Sequence, residues 1–421
     1  MKATFTKAVQ YDVKAVCRTP LRTGGTGGET ELILRDQKGR ALIQGSSLAG
    51  AFRSWLEQVK GKAEAEQLFG SQECSGHLMV SDGLFERDAE SVIRPRLRIN
   101  SATGTADSGG KFDTAHISTG SRFSFCLTWL GGKEMEAETK MVEQILAALH
   151  GGEIRLGAQK SNGFGCVGLT VKKRIYDLCQ AEDHTAWLED CEDGQVLPLP
   201  DIQQSSQVTF TLVGQADNIL VKGASVEHEE SSSVTRNLQE AGVPVIPGSS
   251  IKGAVRARAA MIAQWKGLPE DVLDGIFGRT SAQGDNGIAG RILFEDAVLS
   301  PDQSKKISRI RINRFTAGVI RGGLFSEEPV CSKLQIRITV PADCKTGCGL
   351  LVYALRDLAL GLYNLGSGGA IGRGQIAVER IQIEAPDETH AELSFDDHRR
   401  CVLSDPRGLV KGWLDHLEVR A

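Results

Sequence analysis

Ile246-Pro247-Gly248-Ser249-Ser250-Ile251-Lys252-Gly253-Ala254-Val255-Arg256 restates an earlier stretch of the same chain, Ile43-Gln44-Gly45-Ser46-Ser47-Leu48-Ala49-Gly50-Ala51-Phe52-Arg53. Three more segments recur in the same order: Leu68-Phe69-Gly70 as Ile276-Phe277-Gly278, Arg96-Leu97-Arg98-Ile99-Asn100 as Arg309-Ile310-Arg311-Ile312-Asn313, and Gly163-Phe164-Gly165 as Gly372-Arg373-Gly374. A separation of roughly 200 residues is too long for a solenoid or propeller repeat. The matches therefore describe two tandem copies of one domain, each with its own core.

Outward from the repeated stretch, periodicity gives the plan of each copy. After Gly45-Ser46-Ser47, apolar residues at Leu48, Ala51, Phe52, Trp55, Leu56 and Val59 fall at helical spacing, with Ser46 or Ser47 as N-cap. Alternation from Thr4 to Val16 predicts a half-buried strand, and further strands are expected at 78–80 and 123–130. A helix at 136–149 leads through a Gly-rich loop, 156–165, into a last strand at 166–171. The second copy runs the same course: strand 208–213, helix 249–265, strand 334–340, helix 350–365, Gly-rich loop 366–374, strand 375–383. This order is the split βαβ plan. The expected class is α+β: two tandem ferredoxin-like (RRM-like) domains with inserted hairpins, each an antiparallel sheet with both helices on one face. The domains are placed at 1–175 and 208–384, with a polar linker at 176–207 and a charged C-terminal tail at 385–421 that includes a short helix at 409–417.

Composition narrows the function. The 421 residues suffice for two domains of ordinary size. No apolar run approaches a bilayer span and the start lacks a signal-peptide core, so a cytoplasmic protein with no membrane partner is expected. Ten scattered cysteines fit thiols in a reducing compartment. A net charge of −4 excludes a uniformly basic coat, so any nucleic-acid contact must be concentrated in stripes. One such stripe runs from Gln303 to Gly323, with Lys305, Lys306, Arg309, Arg311, Arg314 and Arg321 and no acidic residue; Arg94, Arg96, Arg98 and Lys111 mark its counterpart. A charge run is ordinarily a solvated face, but its recurrence in both copies points to function.

The remaining repeated segments suit phosphate chemistry. Gly-Ser-Ser at a helix start offers free N–H groups and the hydroxyls of Ser46, Ser47, Ser249 and Ser250 at the positive end of the dipole; the alternative is a plain helix cap. Arg53, Lys252 and Arg256 add charge on the first turns. The Gly-rich loops bring Lys160, Asn162 and Arg373, and are otherwise tight helix-to-strand turns; neither is a Walker A motif. The Arg-Ile-Asn segments read as strands entering a projecting hairpin whose arginines follow a phosphate backbone while small or apolar tip residues wedge between bases.

Ile246-Pro247-Gly248-Ser249-Ser250-Ile251-Lys252-Gly253, then Phe277-Gly278, then Arg311-Ile312-Asn313-Arg314-Phe315-Thr316-Ala317-Gly318, then Gly368-Gly369-Ala370-Ile371-Gly372-Arg373-Gly374 resemble, in that order and again more weakly in the first copy, the RAMP superfamily of CRISPR effector backbone subunits. The resemblance covers about 4–171 and 208–383 and is strongest to type III members. It implies a ferredoxin-like palm that grips crRNA and a thumb hairpin inserted into the guide–target RNA duplex, with other effector subunits as partners, so that base pairing reads sequence and protein reads shape.

Some type III backbone subunits also cut target RNA with an Asp in the loop before the Gly-Ser-Ser helix and a divalent metal. Here that position falls near Thr30 and Ser231, and neither is Asp. The nearest carboxylates, Glu29 and Glu31 in one loop and Glu227, Glu229 and Glu230 in the other, are the catalytic candidates, with Mg²⁺ or Mn²⁺ as the metal; Asp36 and Asp217 are alternatives. No organic cofactor is expected. Cys74-Ser75-Gly76-His77 and Cys344-Lys345-Thr346-Gly347-Cys348 each offer two ligands where structural zinc takes four. The rival reading is an endoribonuclease that processes repeat RNA through a histidine, but the eight histidines do not recur between copies.

Overall fold

The structure is a computed structural model of the 421-residue chain. It describes residues 5–24, 33–100, 103, 105–132, 135–189, 194–199, 206–229, 232–279, 286–396 and 398–418. The chain divides into two compact units: 1–92, 114–160 and 164–204 in the first; 93–113, 161–163 and 205–421 in the second.

In the first unit the opening strand, Lys7–Cys17, is central, pairing antiparallel with Arg122–Gly131 on one side and Val167–Asp177 on the other. Its alternation is that of a sheet with one packed face: Val9, Tyr11, Val13, Ala15 and Cys17 are buried. They share a core with Leu48, Phe52 and Leu56 of the helix Gly45–Val59 and with Val142, Ile145 and Leu149 of the helix Met135–Gly151. Both helices thus cover the same face. On the other face Asp12 pairs with Arg174.

The second unit repeats the arrangement. Gln207–Ile219 lies between Val330–Pro341 and Gln375–Ala385, both antiparallel, and its core takes in Ile251, Val255 and Ala259 of the helix Gly248–Trp265 and Leu351, Leu355 and Leu358 of the helix Lys345–Ala359. The chain is an α+β fold of two tandem ferredoxin-like domains with inserted hairpins, as expected. One helix is displaced from its expected span. The 350–365 pattern becomes Lys345–Ala359, because Gly347 and Gly349 conceal the start and Leu362 to Leu365 carry the apolar pattern on into a turn.

Each sheet is extended at its edge by segments whose sequence reads as connector or tail. Gln195–Leu197 pairs with Val167–Asp177 after a short helix, Ala181–Leu188. Thr389–Phe395 and Cys401–Ser404 continue the second sheet, and the helix Leu409–Glu418 buries Val410, Trp413 and Leu417 in the second core. Residues 385–418 are thus part of a packed domain. Among the described residues no helix is long and apolar enough to cross a membrane.

Candidate nucleic-acid interface

The two Gly-Ser-Ser helices begin alike. The Gly45 N–H donates to Asp82 Oδ1 and the Gly248 N–H to Asp296 Oδ1, each at 2.7 Å. The next donors turn inward: Ser47 and Leu48 N–H reach Gln44 O, and Ser250 and Ile251 N–H reach Pro247 O. An internal carboxylate therefore already sits on the positive helix end, which is a different arrangement from the open anion site that the motif suggests. The motif glycine is needed because a Cβ on Gly45 would collide with the carbonyl of Val80, and one on Gly248 with that of Phe294. What the motif presents outward is small. Ser46, Ser47, Gly50 and Gly253 are exposed, Ser249 and Ser250 half-buried, and a Cβ on Gly50 or Gly253 would meet nothing within 4 Å. Glycine in a helix costs about 1 kcal/mol relative to alanine. Repeated in both copies with no neighbour to make room for, it leaves a helix face open to close approach from outside.

The cations on these helices divide into two kinds. Arg53 donates to Gly70 O at 3.0 Å and pairs with Glu57; Arg256 donates to Gly278 O at 2.6 Å and pairs with Asp274. Both arginines tie the first helix to the end of the short helix that follows it, Lys62–Phe69 or Glu270–Phe277. Lys252 is different. Its Nζ lies 3.2 Å from Ser161 Oγ, and burial, then the like charges of Arg256 and Arg96, push its pKa down to about 8. A half-buried lysine between two arginines is stabilised by an arriving anion.

The Arg-Ile-Asn segments form the expected hairpins, Ser91–Ile99 with Ala106–Ile117 and Ile307–Ile312 with Val319–Glu327. The asparagine makes each turn: Asn100 Oδ1 accepts from Thr103 N–H, and Asn313 Oδ1 from Phe315 and Thr316 N–H. In the second hairpin Arg311, Arg314 and Arg321 are exposed, and among the described residues no carboxylate pairs with them. Arg309 lies 3.7 Å from Glu327. Phe315 stands 92% exposed at the tip, flanked by exposed Ile312 and Val319. In the first hairpin Arg98 pairs with Asp107 at 2.7 Å, and Arg94 is buried between Glu240 and Asp296, 2.7 Å from each.

The Gly-rich loops are tight: Leu156 N–H bonds Gly165 O and Leu365 N–H bonds Gly374 O. Lys160 is exposed, with its pKa lowered by loss of hydration; Asn162 is half-buried; Arg373 is buried on Glu327 at 2.8 Å.

Of the catalytic candidates, Glu29, Glu31 and Glu230 lie outside the described residues. Glu229 ends the strand Lys222–Glu229, which pairs with Ser232–Asn237, so the second acidic segment is a β-hairpin that shares a four-stranded sheet with the basic hairpin. Asp36 belongs to a turn: despite some loss of hydration, the N–H groups of Arg40 and Lys38 and the Arg40 guanidinium hold its carboxyl below the usual range. Among the described residues no three His, Cys, Asp or Glu side chains gather where they would hold a metal ion. Cys344 and Cys348 are buried, with thiol pKa values raised by burial, and His77 is bound through Nδ1 to the buried Glu138.

Sequence reasoning missed Asp82 and Asp296, the carboxylates on the helix ends, and the anchoring of Arg94. The signal for the first two was available in the repeat, as an Asp immediately before a short strand, Asp82 before Gly83 and Asp296 before Ala297, but no motif marks it.

A family model described as "RAMP superfamily" matches residues 14–168 and 223–377, one span in each copy. No curated protein matches the chain. Among solved structures, a chain from "Cryo-EM structure of the Type III-B Cmr-beta bound to cognate target RNA" is 21% identical with a TM-score of 0.33, over 40% of this chain and 61% of that one. The match thus spans less than two thirds of that chain's length.

Proposed function

The chain belongs to the RAMP superfamily, and we propose that it is a double backbone subunit of a type III CRISPR interference complex, gripping crRNA and the guide–target RNA duplex beside other effector subunits. The observation that carries this reading is the second hairpin: exposed Arg311, Arg314 and Arg321 on the arms and Phe315 at the tip. Cations without acidic partners bind a phosphate backbone by releasing its counterions, and an exposed aromatic at a hairpin tip is a wedge or a stacking platform for a base. The exposed Gly253 beside half-buried Ser249 and Ser250, with Lys252 short of a counter-charge, gives the same backbone a second place to lie.

Target cleavage would belong to the acidic segments Glu29–Glu31 and Glu227–Glu230. The test is cleavage of labelled target RNA by the assembled guide complex in Mg²⁺ or Mn²⁺, wild type against Glu29/Glu31→Ala and Glu227/Glu229/Glu230→Ala. Loss of one cut per altered segment with target binding intact makes each copy a nuclease; unchanged cutting makes the chain a scaffold. Failure of the full chain to bind guide-length RNA, or binding indifferent to Arg311/Arg314/Arg321→Ala, sinks the RNA-gripping reading itself.

A further inference from the structure

The central residue of each Gly-x-Gly turn is aimed inward by its neighbours. Gly163 and Gly165 in one loop, and Gly372 and Gly374 in the other, all have left-handed backbone, with φ between 68° and 85°. A Cβ on Gly165 would sit 2.0 Å from Leu156 O and one on Gly374 1.8 Å from Leu365 O, so neither turn admits a side chain at its second glycine. The residue between the glycines is driven into the interior: Phe164 is 1% exposed and Arg373 4%.

What each one meets is the strand returning from its hairpin. In the first unit the Phe164 ring packs on His116, 5.5 Å between centroids, near the end of Ala106–Ile117. In the second, Arg373 Nη1 donates to Glu327 Oε2 at 2.8 Å, at the end of Val319–Glu327, and Nη2 is buried as well. Glu327 lies at the hairpin's root. Ser326 and Glu327 pair with Val234 and Thr235, whereas among the described residues the strand from Val319 to Phe325 is laddered to Ile307–Ile312 alone. The arms that carry Arg311 and Arg321, and the tip at Phe315, therefore take their direction from those two rungs and from Arg373. An aromatic contact in one copy and an ionic pair in the other make the same link by unrelated chemistry. The shared feature is the link between loop and hairpin, not an arginine offered to phosphate.

We infer that Arg373 is a positioning residue for RNA: it fixes the second hairpin through Glu327 and touches no phosphate itself. A buried guanidinium is costly to leave without its carboxylate, so the Gly-rich turn and the hairpin root move as one piece. Glu327 also faces Arg309 at 3.7 Å, and of the three side chains only that of Arg309, 34% exposed, is open to solvent. RNA is met by the hairpin's own cations, and Arg373 decides where they stand.

This inference rests on the proposed RNA-gripping role of the hairpin, and its test has one arm that uses no RNA. Amide hydrogen exchange is followed in the full chain for wild type, Arg373→Met and Arg373→Lys, and guide-length single-stranded RNA is titrated against each at several salt concentrations. Arg373→Met is expected to speed exchange in 307–327 about tenfold more than in the core strand Gln207–Ile219. It is also expected to weaken RNA binding about tenfold, with the slope of log K against log salt unaltered. Arg373→Lys keeps a cation on Glu327 and should retain most of both properties. If Arg373→Met does not fold, Arg373→Met/Glu327→Gln, which leaves no uncompensated buried charge, carries the same expectations. A slope reduced by about 0.7 makes Arg373 a phosphate contact and overturns the inference. So does exchange that rises equally in hairpin and core, the mark of a plain core residue, and so does RNA binding that stays at the wild-type level. A wild type that binds no RNA sinks the RNA-gripping reading instead, and hairpin exchange then still decides whether Arg373 holds the hairpin.

Discussion

The hairpins 91–117 and 307–327 turn on equivalent asparagines, Asn100 and Asn313, and begin from the same Arg-x-Arg-Ile-Asn sequence, yet their charges go to opposite uses. In the first, Arg94 is buried on two carboxylates and Arg98 pairs with Asp107; in the second, Arg311, Arg314 and Arg321 face solvent around an exposed Phe315. Duplication supplied one scaffold twice, and a few substitutions made one hairpin an anchor and the other a probe. Ile307 in place of Arg94 frees the second root, and the acid-free run to Gly323 frees its arms.

The sharpest way to break that contrast is at the anchor. Arg94→Met leaves buried Glu240 and half-buried Asp296 as neighbouring carboxylates, and removing one partner of a buried ionic group typically costs about 3–5 kcal/mol. Urea denaturation of the full chain should show a loss of that order, largely recovered in the triple variant Arg94→Met/Glu240→Gln/Asp296→Asn, in which no uncompensated charge remains. A loss below about 1 kcal/mol, the scale of an exposed pair, would mean that the first hairpin is not anchored through Arg94.

The fold was legible because its signals are local. Period-two alternation around Val9 to Ala15 and helical spacing from Leu48 to Val59 each report one buried face, and repetition in both copies removed the ambiguity of any single segment. The site was legible only where it stands alone. Arg311, Arg314 and the apolar tip could be read because, among the described residues, no carboxylate answers the two arginines and the tip is exposed. Arg53, Arg256 and Arg373 read the same way in sequence, but their partners, Gly70 O, Gly278 O and Glu327, are brought to them by the fold. A basic residue gives no sign of which carbonyl or carboxylate will meet it. Arg94 and Asp296 are the extreme case, two residues far apart in sequence whose pairing follows from packing alone.

A smaller effect separates the hairpins as RNA contacts. Each phosphate contact on a single strand contributes about 0.7 to the slope of log K against log salt. Arg311/Arg314/Arg321→Ala should therefore lower that slope by about 2 and weaken binding most at low salt, whereas Arg98→Ala, whose guanidinium is already neutralised by Asp107, should change it by less than about 0.5. Equal slopes for the two variants would erase the distinction between anchor and probe.

The smallest expected effect concerns Lys252, whose counterpart in the first copy is Ala49. Its folded pKa, about 8, lies below the ordinary lysine value of 10.5. Below pH 8 the lysine is charged in both states and the folded state carries the full penalty. Between about 8 and 10.5 the unfolded chain binds more protons, so stability rises with pH, and above 10.5 the penalty is gone. Lys252→Met keeps the stem and removes the charge. It should stabilise the RNA-free chain at pH 7 by about 1–2 kcal/mol, a figure reduced for the solvent that still reaches the ammonium, and the gain should vanish by pH 10.5. The same variant should bind RNA more weakly at pH 7, because the charge that is unfavourable alone is the one a phosphate answers. Stability and binding would then move in opposite directions at one residue. A variant that loses both, or one whose stability difference is flat with pH, would mean that Lys252 serves the packing around Ser161 and that the two helix ends differ in shape rather than in charge.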